Sequence, residues 1–141
     1  MAWHRVEIRL TARPRGFHLV TDEIEAALAG VRDVEIGLVH LFLQHTSASL
    51  SLGENADPEV RRDLERWGRH AIPDDAPFFH HVTEGRDDMP AHVKSGLFGG
   101  GLTLPIERGR LRLGTWQGVY LGEHRLDAGP RTVIATVWGD T

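Results

Sequence analysis

Ten residues, 34 to 43 (VEIGLVHLFL), constrain the fold most. They are apolar almost throughout, which predicts a central strand covered on both faces. The run leads directly into Gln44-His45-Thr46-Ser47-Ala48-Ser49, a small polar patch at the end of a buried element. Any architecture for this chain has to place that patch beside a core.

The flanking sequence supplies partners for such a strand. Val6, Ile8 and Leu10 alternate with Arg5, Glu7, Arg9 and Thr11, the pattern of a half-buried strand that Pro14 and Gly16 then break. Phe17 to Val20 reads as a short second strand. Thr21 reads as an N-cap, with Asp22 and Glu23 in the first turn, and Ile24, Ala27, Leu28 and Val31 make one apolar helical face that Gly30 ends. Leu50 and Leu52 resume alternation. Asp57 caps a second helix with Pro58 at its first position, and Val60, Leu64, Trp67 and Ala71 give its apolar spacing. Beyond residue 101, Leu102, Leu104 and Ile106, then Leu111 and Leu113, then Val119 and Leu121, then residues 131 to 138 read as strands separated by turns. The sum is about seven strands and two main helices in one domain spanning residues 1–141. The order predicts an α+β fold of mixed, mostly antiparallel strands, arranged as a β-sandwich.

Composition narrows the chemistry. The chain has no cysteine, so any transition-metal site must use histidine and carboxylate, and a cytoplasmic location is the expectation. The N-terminus lacks the apolar core of a signal peptide, and no apolar run approaches the ~20 residues that span a bilayer. A net charge of −4 with interleaved bases argues against nucleic acid as a partner. Nine histidines in 141 residues is the outlier that needs an account.

Residues 80 to 101 (HHVTEGRDDMPAHVKSGLFGGG) hold three of those histidines, three acids, one lysine and five glycines. So many ligating side chains with so few large apolar ones predict a polar site. His80 and His81 are adjacent and face opposite ways on an extended backbone, so only one of them serves as a ligand. His4, His18, His40, His70 and His124 read as surface or hydrogen-bonded core residues. The glycines after Lys94 offer an anion nest of backbone N–H groups, or simply a flexible turn. Trp116 either stacks on a ligand ring or packs as a core tryptophan at a β-bulge.

Together, QHTSAS at 44–49, ENADP at 54–58, EG at 84–85, MPAHVK at 89–94, LTLPI at 102–106 and LGTWQGVYLGEHR at 113–125 resemble the YjbQ-type family. Its members are described as secondary thiamine-phosphate synthases. The resemblance runs over most of the chain in the family's motif order. It implies a compact α+β fold built on a β-sandwich and assembled as a homotrimer. It also implies a histidine metal site of His45, His81 and His92, holding a divalent cation, zinc first and magnesium second. By motif position, Glu54, Glu84, Asp87 and Lys94 are the expected catalytic residues, and Asn55, Thr115, Trp116 and Gln117 the expected substrate contacts. The implied reaction joins a hydroxymethylpyrimidine diphosphate to a thiazole phosphate, so the expected partner is a small phosphorylated metabolite. A metal-dependent hydrolase and a non-catalytic metal or phospho-metabolite binder are the alternatives. The chain departs from the family where Arg86 interrupts the EGDDN pattern and where Gly96, Gly100 and Gly101 replace serines.

Overall fold

The computed structural model describes residues 1–141. Alternation in the first strand is realised as read. In β1 (Ala2–Leu10), Trp3, Arg5, Glu7 and Arg9 face out while Ile8 and Leu10 are buried. It pairs antiparallel with β8 (Arg131–Asp140), which continues through β3 (Ile36–Leu43) and β5 (Gly101–Glu107) to the short β6 (Arg110–Leu111). A second sheet of three antiparallel strands has β7 (Gln117–Glu123) between β2 (Gly16–Leu19) and β4 (Ala48–Glu54). A core of 19 buried apolar residues is drawn from the inner faces of both sheets and from Ile24 and Leu28 of the first helical segment. The result is an α+β sandwich of wholly antiparallel sheets.

Three α-helices decorate it, against an expectation of two. The first, α1 (Thr21–Ala27), starts one residue earlier than its sequence cap implies. Thr21 lies inside it, and its Oγ1 accepts from the Val119 amide at 2.9 Å, tying the helix to β7. In α2 (Pro58–Ala71) the expected start holds: Asp57 Oδ1 accepts from the Glu59 amide at 2.9 Å. The unexpected helix is α3 (Asp88–Phe98), inside the histidine-rich segment. Pro90 falls in its first turn, where the missing N–H has no carbonyl to meet, so the proline starts the helix rather than breaking it. Gly99, at a φ of 95°, ends it. No helix is long and apolar enough to cross a membrane.

The second correction concerns β3. Its inner residues Val39, Leu41 and Leu43 are buried, but Ile36 and Phe42 on the other face are exposed. Trp3 and Trp138 stack on that same outer face with centroids 5.3 Å apart. The strand is therefore apolar on both faces and covered, within one chain, on only one.

The helices fix where chemistry can sit. α2 packs on β2 and α3 on β4, both on the outer face of the small sheet. The segment from Thr46 to Ala48 enters β4 under α3, while Glu54 and Asn55 leave it at the other end. The ends of this seven-residue strand are six residue steps apart, roughly 20 Å at the usual rise.

Candidate metal centre

α3 opens with Asp87 and Asp88, and Asp88 and His92 stand four residues apart, so they share one helix face. The preceding loop brings His81 to the same place. His81 Nε2 lies 2.8 Å and His92 Nε2 3.0 Å from a single oxygen, Asp88 Oδ2. The three side chains form a group with ligand atoms all within 4.8 Å of one another. The Asp88 carboxylate is buried, while His81 and His92 are part-exposed. A cavity of about 210 Å³ opens beside His81, with Asp74, Arg86 and Met89 on its walls.

Hydrogen bonding decides which lone pairs are free. His92 Nδ1 is 2.8 Å from the Thr46 carbonyl, which can only accept, so that nitrogen carries the proton. In the neutral ring Nε2 then presents a lone pair, and it points at Asp88 Oδ2, also an acceptor. Two acceptors 3.0 Å apart need a shared proton or a cation between them. The donor set of two imidazoles and one carboxylate suits a zinc-type ion, and the Thr46 carbonyl orients His92 as the outer partner of a metal ligand does.

The carboxylates are held from behind by Arg125. Its Nη1 donates to Asp88 Oδ1 at 2.7 Å and its Nε to Asp87 Oδ2 at 2.8 Å, while Nη2 donates to the Glu84 carbonyl at 2.9 Å. Burial by itself would raise the Asp88 carboxyl. The His81 hydrogen bond and the charges of His92 and Arg125 outweigh it and hold the group below the usual carboxylate range. Asp88 is thus kept ionised with Oδ2 turned to the imidazoles.

His45, expected as the third histidine ligand, is replaced in the cluster by Asp88. It stands next door, one residue before Thr46, but its Nε2 accepts from the Thr132 amide at 2.8 Å. A neutral imidazole has one lone pair, and here it is committed. The other nitrogen faces Arg131 Nη1 at 3.3 Å. Burial and then the Arg131 charge push His45 below its ordinary value.

The expected catalytic group also divides. Asp87 accepts from Arg125 and, at 2.9 Å, from the Leu126 amide, so it locks the 123–126 turn onto α3. Glu84 contributes its backbone carbonyl to Arg125, and the residue is exposed. Lys94 is six positions after Asp88, on the opposite face of α3, and is buried under α2. Glu54 is at the far end of β4, where its Oε2 accepts from the Ala56 and Asp57 amides at 3.0 and 2.9 Å. Asn55, Thr115, Trp116 and Gln117 gather around it. Asn55 Nδ2 donates to the carbonyls of Thr115 and Gln117, and Gln117 Oε1 accepts from the Gly114 amide. Trp116 is two-thirds exposed, so it is no core tryptophan. Within one chain, these expected substrate contacts and the histidine cluster are at opposite ends of β4.

The glycine segment does not form a nest. The Gly99 amide donates to Ser95, and the carbonyls of Gly99 and Gly100 accept from Leu50 and Leu43, stitching the small sheet to the large one. Sequence reasoning missed Asp88 and Arg125. The Asp-x-x-x-His spacing was the available signal for the first. For Arg125, which lies 33 residues after His92, its place beside Glu123 and His124 was the only hint.

A family profile described as UPF0047 protein YjbQ-like matches residues 6–140. The chain belongs to that family. It is 55% identical over 138 residues to the UPF0047 protein YjbQ of Salmonella typhimurium, covering 98% of this chain and 99% of the relative. The Escherichia coli O157:H7 protein of the same name is 53% identical with the same coverage. Among solved structures, a conserved hypothetical protein from Thermus thermophilus superposes with a TM-score of 0.77 at 39% identity, covering 94% of this chain and 98% of that one. A YbjQ-like protein of unknown function from Sulfolobus solfataricus P2 shares the fold at a TM-score of 0.83 and 18% identity, over 99% of each chain. These relatives overturn the thiamine-phosphate synthase expectation. Family members more than half identical to this chain carry only the family designation, and the Sulfolobus protein is described as of unknown function. YjbQ-like membership stands, and the transferase reading falls.

Proposed function

We propose that this YjbQ-like chain is a divalent-metal protein whose centre is His81, Asp88 and His92, with zinc the preferred ion. One observation carries the reading. The Thr46 carbonyl fixes a proton on His92 Nδ1, so Nε2 and Asp88 Oδ2 face each other across 3.0 Å over a gap that a shared proton or a cation fills. Magnesium, which prefers carboxylate, phosphate and water oxygens, suits two imidazoles poorly. A bound ion would supply Lewis-acid polarisation to an oxygen-bearing ligand at positions the three side chains leave open. The residues around it have their own parts. Arg125 keeps the carboxylate ionised and aimed, and the cavity beside His81 gives a ligand access. A small phosphorylated metabolite is the proposed ligand, because phosphate oxygens bind such an ion.

The proposal includes a homotrimer. The outer face of the large sheet exposes Trp3, Ile36 and Phe42 by 67%, 73% and 52%, an apolar surface that soluble chains usually cover. Light scattering of the purified chain should give three times its 15.7 kDa, and Phe42→Asp should lower that mass. A monomer at micromolar concentration removes this part of the reading.

The metal is tested by titrating chelator-treated protein with zinc. One equivalent per chain should bind, and Asp88→Asn should weaken it by about 100-fold while circular dichroism shows the same fold. Protein that retains no zinc, or an Asp88→Asn chain that binds it unchanged, defeats the proposal.

A further inference from the structure

Five arginines gather on the other side of Asp74 from the cavity beside His81. A groove of about 410 Å³ runs between β2 and α2. Arg15 and His18 form one wall, and Arg61, Arg62, Arg66 and Arg69 the other, with Glu65 the only acid on the lining. Phe17 is its single large apolar residue. Five arginines around one groove, on a chain whose net charge is −4, are a marked segregation.

Four of these arginines have carboxylate partners. Arg15 donates to both oxygens of Asp74 at 2.7 and 3.0 Å. Arg62 pairs with Glu59, Arg66 with Glu59 and Asp63, and Arg69 with Glu65. Except for the two pairs of Arg15, with Asp74 and, at 3.4 Å, with Glu65, these pairs join residues of α2 itself, and Arg62, Arg66 and Arg69 are about 60% exposed. Exposed pairs of this kind hold weakly, so the guanidinium groups can exchange partners at little cost.

Two cations have no carboxylate partner. Arg61 makes no ion pair, and its Nη1 is buried without a hydrogen-bond acceptor. Behind the groove, Lys94 is 1% exposed and its Nζ is likewise unpartnered. Its Cε would lie 3.7 Å from a Cβ added at Gly68, which places the chain of methylenes directly under α2, next to Arg69. A buried donor left unpaired is costly, so the Arg61 Nη1 on the groove wall favours a ligand that brings an acceptor, while Lys94 behind it adds positive charge.

We propose that the groove between β2 and α2 is a second binding site, for a small ligand carrying two or more phosphate groups. Arg61 is its inner contact, and Arg66 and Arg69 are its outer ones. Guanidinium groups suit phosphate because their paired N–H donors match two oxygens at once. From Arg62 to Arg69 the helix rises roughly 10 Å, enough to spread charge over more than one phosphate. A lining with one apolar residue suits a ligand recognised by charge rather than by a ring. The inference rests on the phosphorylated-ligand part of the functional proposal, and it is independent of the metal.

The test is isothermal titration of chelator-treated protein with inorganic pyrophosphate at low and at physiological ionic strength. Saturable binding that weakens with salt is expected, with orthophosphate weaker. Arg61→Gln should reduce affinity by about tenfold or more, and so should Arg66→Gln combined with Arg69→Gln, which alters only exposed side chains. Zinc binding by these variants should match the parent. No saturable binding at millimolar pyrophosphate overturns the proposal, and so does binding that both variants leave unchanged. If pyrophosphate then requires zinc and is lost in Asp88→Asn, the metal reading survives and the groove does not. A single-stranded oligonucleotide that competes through the same arginines and binds more tightly than pyrophosphate would also overturn it, in favour of a nucleic-acid surface.

Discussion

The two faces of α3 handle charge in opposite ways. On one, Asp88 and His92 meet His81 and Arg125, every charged group has a counterpart, and the imidazoles reach solvent. On the other, Lys94 is buried without a partner. His124 lies in the same layer, with Nε2 2.8 Å from Ser49 Oγ and Nδ1 unpaired. Its ring packs against Phe17 and Phe98 at centroid distances of 5.6 and 5.9 Å. The comparison separates two uses of a polar side chain. Convergence of several donors on one exposed point is what a ligand site requires, whereas burial without partners is a cost carried by packing.

The sharpest break of this contrast is Asp88→Ala. It removes the oxygen both imidazoles share and one of the two carboxylates on Arg125. Zinc affinity should fall by about 1,000-fold, and unfolding in urea should show a loss of about 3 kcal/mol, the low end for breaking a buried pair because Asp87 still holds Arg125. An Asp88→Ala chain with unaltered stability would mean that this face is not organised around the carboxylate.

Next in size is a pair of histidine substitutions. His92→Ala should weaken zinc by about 100-fold, whereas His45→Gln should change it by less than about threefold, because the His45 lone pair is committed to Thr132. His45→Gln instead should lower stability by about 1 kcal/mol, the size of one backbone hydrogen bond lost. Equal losses of zinc in both variants would restore the three-histidine set.

The buried face is probed by pH. Burial first, and then the charges of Lys94, Arg15 and Arg131, push His124 down to about 3 from its ordinary value of 6.5. The unfolded chain therefore binds a proton at His124 that the folded chain refuses. Stability from this group is complete above pH 6.5 and is lost as pH falls from 6.5 toward 3. The slope is about 1.4 kcal/mol per pH unit from this one residue. Between about pH 6 and 5, above the range where most carboxylates titrate, His124→Gln should flatten the decline seen in urea midpoints of the parent. The same slope in both proteins would show that the imidazole is not held neutral.

Much of the frame was legible because strand alternation and the Asp57-Pro58 cap are local signals. Ile8, Leu10 and the α2 boundary follow from spacing of one or two residues, whereas in β4 Leu50 is buried and Leu52 exposed, so the alternation expected there is not realised. The helix α3 was not legible. Pro90 and the glycines from Gly96 onward are punctuation in most contexts, and only the first-turn position of the proline makes it compatible with a helix. Without that helix, Asp88 and His92 have no reason to share a face, and the resemblance implies His45 by its motif position instead. Arg125 and Thr46 act through tertiary contacts from distant elements, which no local pattern encodes. The open outer face of β3 escaped for a related reason. An apolar residue looks the same in sequence whether its own chain or another chain covers it.

The smallest expected effect bears most directly on the comparison. Lys94→Met keeps the aliphatic length that packs under α2 and removes an amine with no partner. Burial and then the Arg15 charge already hold that amine below the ordinary lysine value. Losing an unsatisfied buried group while keeping its volume should therefore leave stability within about 1 kcal/mol of the parent, on the favourable side. The urea slope should not change, since the surface exposed on unfolding is the same. Zinc binding should be unaltered, because the amine points away from Asp88 and His92. Pyrophosphate binding should weaken by less than it does in Arg61→Gln, because Lys94 lies behind the groove rather than on it. A loss of about 3 kcal/mol would show that Lys94 has a counter-charge in the folded chain. A loss of zinc would show that the two faces of α3 form one site rather than two.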